Sequence, residues 1–174
     1  MKRIRNKPTE TDHGTPELRA KRMRLIGPQR PNWPAPDPAA AESALGVLLW
    51  QGYLHPDYDA AKRMHDAGIA FAGWWRLVHP KDSPQGPLGR LQEGSGVAVV
   101  DTLAAENSLR LARAVLARER QVLDAVINCA VYQRVNLRVL DKLRLGLGWL
   151  ATWLATCDGG RRKPLDRVAD SAQP

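Results

Sequence analysis

Cysteine, β-branched residues and long apolar runs are all scarce in this chain of 174 residues, and each scarcity removes a class of protein. Two cysteines, Cys129 and Cys157, cannot build a disulfide framework or a zinc finger. No apolar run reaches the roughly 18–20 residues that a membrane span needs, and no apolar stretch follows the first basic residues as a secretory signal requires. A cytoplasmic protein without membrane contact is therefore expected. Valine and isoleucine number 16 against 45 for alanine and leucine, a balance that disfavours strands and favours helices. The histidines (His13, His55, His65 and His79) form no i,i+4 pair and no HExxH setting, and neither cysteine has a second at metal spacing. There is no GxSxG elbow. The glycine-rich run GPLGRLQEGSG (Gly86 to Gly96) lacks the GK[ST] ending of a phosphate loop and reads as a plain loop. These absences predict no metal, no cofactor and no enzymatic activity.

Charge of one sign is in surplus. Lysine and arginine number 26 and acidic residues 18, a formal net charge of +8, while a hydrophobic content of 44% is enough for a folded core. Nineteen of the 26 cations are arginines, whose planar fork suits phosphates and guanine edges. Nine basic and three acidic residues precede Pro31, so +6 of the total lies in the first 30 residues.

Prolines divide the chain. Eight of 13 lie between residues 8 and 56, and none falls between Pro87 and Pro164. The pattern predicts a basic flexible arm with a Pro-rich linker (1–38), a helical domain of four or five helices (39–157) and a disordered tail (158–174). Within the arm, Thr15 and Pro16 suit the cap and first position of a short helix ending near Leu25, and PQRPNWPAPDP (Pro28 to Pro38) reads as extended linker. Trp33 in that linker is a candidate partner anchor. The expected helices are residues 39–54, a second from Asp57 with Met64, Ala67, Phe71, Trp74, Trp75 and Val78 on its apolar steps, one or two helices from Val97 to Val131 capped at Asp101 or Thr102, and a last from Leu137 to Ala155 stopped by Gly159 and Gly160. Residues 79–96 read as a loop. Gly68 and Gly73 lower helix propensity and are read as contact points for a neighbouring helix. Cys129, among Ile127, Ala130 and Val131, is expected in the core.

The basic residues of the C-terminal half carry the functional expectation. Arg134, Arg138 and Lys142 follow at steps of four and line one stripe if a helix begins near Arg134, with Arg144 on the adjacent face and Arg118 and Arg120 upstream. LARERQVLDAVINCAVY (Leu116 to Tyr132), a short turn, and LRVLDKLRLGLGWLATWL (Leu137 to Leu154) fit a helix-turn-helix with its second helix in a major groove. A simple antiparallel helical hairpin fits as well, because Gln133 to Asn136 lacks the usual turn glycine. In the arm, Lys21, Arg22 and Arg24 are further candidate phosphate contacts, since a basic arm gains affinity by releasing counterions from nucleic acid.

Several segments carry a resemblance. HGTPELRAKR (His13 to Arg22) ahead of a Pro-rich linker, LLWQGYL (Leu48 to Leu54) and AAKRMHDAGIAFAGWW (Ala60 to Trp75) resemble small proteins of alphaproteobacterial phages and prophages. The C-terminal helix pair, with ARERQVLDAV (Ala117 to Val126), is similar to a degenerate sigma-factor region-four-like helix-turn-helix. The resemblance covers most of residues 13–155 and implies DNA binding or transcription control. The resulting expectation is a non-enzymatic phage or prophage regulator whose partner is DNA. Two alternatives stand beside it: a DNA-packaging factor that forms a homo-oligomeric ring, and an adaptor for RNA polymerase or another protein.

Overall fold

The computed structural model describes residues 15–80 and 99–161, with side chains at 99–101 and 158–161 set aside. The first basic residues of the arm, the loop beyond residue 80 with its glycine-rich run, and the tail after residue 161 lie outside the described residues. The fold is all-α. The α-helices among the described residues are α1 (Pro16–Ile26), α2 (Ala44–Trp50), α3 (Tyr58–Val78), α4 (Val99–Leu116), α5 (Arg120–Val126) and α6 (Leu140–Arg161). No helix among the described residues is long and apolar enough to cross a membrane.

Local chemistry sets most helix starts. Pro16 occupies the first position of α1, and the Thr15 hydroxyl accepts a hydrogen bond from the Leu18 amide at 3.4 Å. The Asp57 carboxylate caps α3 by accepting from the Ala60 amide at 2.8 Å. The expected helix over 39–54 is instead two pieces. A 3-10 turn, Pro38–Glu42, ends at Ser43, whose hydroxyl accepts from the Gly46 amide at 2.9 Å and starts α2. That corner needs glycine, since a Cβ on Gly46 would lie 2.0 Å from the Ala40 carbonyl oxygen. α4 begins at Val99, so Asp101 and Thr102 lie inside it and do not cap it. The stretch up to Val131 is broken after Leu116. α5 follows from Arg120 and runs into a π-helical turn, Ile127–Val131. At the other end α6 continues through Gly159 and Gly160 to Arg161. Each glycine in a helix costs about 1 kcal/mol and does not by itself terminate one.

α6 is the central element. It packs against α3, α4 and α5 and buries Leu143, Leu147 and Leu150. Opposite stand Met64, Ala67 and Phe71 of α3, Leu109, Ala112 and Leu116 of α4, and Val122 and Val126 of α5. These are the faces expected from three- and four-residue periodicity. Two glycines let the helices approach. A Cβ on Gly146 would sit 2.7 Å from both Val122 Cγ1 and Val126 Cγ2, and one on Gly68 would sit 2.6 Å from Leu45 Cδ1. Gly73, read as a second contact point, meets nothing within 4 Å. Cys129 is buried, and burial pushes its thiol up to about 12, as befits a core residue.

Residues 15–38, expected within a flexible arm, are packed onto this body. Ile26 is 1% exposed and Trp33 7%. Trp33 meets Tyr58 at 5.2 Å and Trp50 at 6.2 Å between ring centroids, which seats the Pro-rich segment on α2 and α3. Arg30 lies over the Trp33 ring at 5.2 Å, and its guanidinium fills the space that any side chain at Gly52 (φ 71°) would need. Trp33 is thus an anchor, but an internal one. The Gln51 amide adds a hydrogen bond to the Leu25 carbonyl at 2.7 Å.

The two glycines of the helical body separate on substitution. Gly146→Ala should overpack the α5–α6 contact and lower stability by about 1–3 kcal/mol. Gly73→Ala should be neutral or stabilising by up to about 1 kcal/mol. Urea unfolding of both variants checks this, and equal effects would contradict the packing described.

Candidate nucleic-acid interface

The turn between the π-helical segment and α6 is built around Gln133. Its φ of 56° lies in the left-handed region, where a non-glycine residue carries a cost of about 1–2 kcal/mol. The side chain bonds in two directions: Nε2 donates to the Ala130 carbonyl at 2.9 Å, and Oε1 accepts from the Ala44 amide at 2.6 Å. Gln133 therefore stands where a turn glycine would be expected and also fastens the turn to the start of α2. The Arg134 amide reaches back to the Asn128 carbonyl at 2.9 Å and closes the helix end. The Asn136 side chain then accepts from the Arg138 amide at 3.0 Å and opens the 3-10 turn, Leu137–Val139, that leads into α6.

This geometry takes apart the predicted stripe. No helix begins near Arg134, so Arg134, Arg138 and Lys142 do not share a helical face. Lys142 is ion-paired with Glu119, the residue at the α4–α5 break. The Arg144 Nε donates to the Tyr53 carbonyl, and its Nη1 lies 3.4 Å from the Asp141 carboxylate. Both cations hold α6 to neighbouring segments. Arg134 and Arg138 remain exposed, Arg134 lying 5.9 Å from the centre of the Tyr132 ring. Arg118 and Arg120 are exposed at the α4–α5 corner, where Arg120 is 93% exposed and only 3.9 Å from Asp124 at its closest.

α1 contributes the second group of cations. Lys21 and Arg24 are exposed, as is Arg19, which the sequence did not single out from its neighbours. Arg22 is ion-paired with Glu42. That pair has a geometric consequence. Glu42 is held by α1 and Ala44 by Gln133, so α1 and the Gln133–Arg138 turn meet on three consecutive residues. With about 3.8 Å between consecutive Cα atoms, α1 and the turn are joined through one short stretch of backbone. Sequence spacing gave no sign of this, because the bridging contacts join residues 20 and 89 apart.

A cleft of about 370 Å³ opens beside the turn. Gln121, Asp124, Asn128 and Arg134 lie at its exposed rim, with Cys129 and Leu143 behind them.

Comparison with protein-family models, with curated proteins and with solved structures returns no match for this chain.

Gln133→Ala should destabilise the protein by about 1–2 kcal/mol, because the Ala44 amide and the Ala130 carbonyl both lose their side-chain partner while the backbone strain is unrelieved. Gln133→Gly should recover part of that loss by relieving the backbone. Thermal unfolding of the two variants tests this, and an alanine variant as stable as the parent would refute the fastening role.

Proposed function

We propose that this chain binds duplex DNA through phosphate contacts made by one composite basic surface: Arg19, Lys21 and Arg24 on α1, and Arg134 and Arg138 on the turn before α6. Arg118 and Arg120 extend it along the α4–α5 corner. The observation that supports the reading is that α1 and the turn, each bearing exposed cations, both bond to the stretch of residues 42–44. Guanidinium groups in such an array bind phosphates, displace condensed counterions and position the protein without reading base sequence.

In this reading α6 is not a groove-reading helix. Its Leu143, Leu147 and Leu150 are buried against three helices, and Lys142 and Arg144 at its start already have partners. The biological role we propose with it is transcription control in a phage or prophage, which rests on the resemblance of the quoted segments alone.

The experiment is a titration of a labelled duplex at several salt concentrations, followed by fluorescence anisotropy. The logarithm of the binding constant should fall linearly with the logarithm of salt. Arg134→Ala with Arg138→Ala should flatten the slope by about two, and Arg19→Ala, Lys21→Ala and Arg24→Ala together by about three, near 0.9 per lost contact. Arg144→Ala should leave the slope unchanged. A folded protein with no salt-sensitive affinity for DNA would overturn the proposal.

A further inference from the structure

The cleft between α5 and the start of α6 has a chemistry that phosphate binding does not use. At about 370 Å³ it falls at the lower end of the range for small-ligand sites, about 300–1,000 Å³. Its inner wall is apolar, with Cys129 buried and Val139 half-buried. Its exposed rim carries three amides, a carboxylate and a guanidinium from Gln121, Asn128, Asn136, Asp124 and Arg134. Asn128 Nδ2 donates to the Asp124 carbonyl at 2.8 Å, which leaves its Oδ1 as an acceptor. The Asp124 carboxylate has Arg120 only at 3.9 Å, so it stays open to a further donor. The cleft is framed by the π-helical turn, an irregularity frequent at functional sites.

We infer that this cleft takes an unpaired, amino-bearing nucleobase whose 5′-phosphate lies on Arg134. Side-chain amides match the donor and acceptor edge of adenine, a carboxylate accepts from an exocyclic amino group, and the apolar wall receives the face of the ring. Arg134 belongs at once to the rim of the cleft and to the proposed phosphate surface, so a strand crossing that surface would deliver an unpaired base to the opening. The inference deepens the nucleic-acid reading and rests on it. A base can come from the end of a strand or from a free nucleotide.

The test compares three probes by direct binding: a blunt duplex, the same duplex with a short dA overhang, and free AMP. The overhang should bind roughly tenfold more tightly than the blunt duplex, the worth of one good bidentate base contact. Gln121→Ala with Asn128→Ala should abolish that advantage and leave blunt-duplex affinity unchanged, since neither residue belongs to the phosphate surface. Val139→Phe, which fills the cleft without altering its rim, should do the same and decides the matter if the double variant does not fold. AMP binding that the same variants abolish identifies a free nucleotide as a ligand, whereas an overhang effect without AMP binding identifies the strand end. Equal affinity for the two duplexes together with no AMP binding overturns the cleft assignment while leaving duplex binding intact. If neither duplex binds, the reading as a DNA-binding protein fails, and AMP binding alone then decides for or against the cleft.

Discussion

The Gln133 side chain donates backward to the Ala130 carbonyl and accepts from the Ala44 amide, and the position of the turn before α6 depends on these two hydrogen bonds. A left-handed residue reverses the chain after the π-helical turn, and any side chain there carries a conformational cost. Glycine would lower that cost but would leave the Ala44 amide without its acceptor and the turn unattached. Glutamine accepts the cost and supplies the attachment. Arg134 and Arg138 follow directly, so this residue sets their position relative to α2, while Ile26, Trp33 and the Arg22–Glu42 pair seat α1.

The hydrophobic body makes such a placement stable. Gly146 brings α6 into contact with Val122 and Val126, and Gly68 admits Leu45, so the helices pack closely enough to bury a continuous apolar face. Lys142 and Arg144 then tie the start of α6 to Glu119 and Tyr53. Their charges serve the fold, whereas the exposed arginines Arg134 and Arg138 carry the proposed phosphate contacts. The aromatic contacts of Trp33 do the same for the Pro-rich segment and bring α1 onto the body.

The helical class and the buried faces of α3, α4 and α6 were legible because apolar residues recur at three- and four-residue steps. The Thr15 cap and the start of α3 at Asp57 were legible because the residues that set them sit beside their helices. What escaped depends on partners far along the chain. Trp33 lies in a proline run without period, and its seat is made by Trp50 and Tyr58. Ser43 breaks an alanine-rich stretch that propensity alone joins into one helix. The stripe of Arg134, Arg138 and Lys142 failed because no local signal marks Gln133 as left-handed. Glu119, the partner of Lys142, is 23 residues away. Of the candidate phosphate-contacting residues, Lys21, Arg24, Arg118, Arg120, Arg134 and Arg138 are exposed, while Arg22, Lys142 and Arg144 are engaged by partners that local spacing does not reveal.

The most direct test of a composite basic surface is to map it by backbone amide chemical shifts as a duplex is added to the isotopically labelled protein. The account predicts that the shifts gather in two stretches, residues 17–25 and 133–139, and move together with one affinity. Shifts confined to the exposed faces of α3 and α4, or two stretches titrating with different affinities, would contradict it.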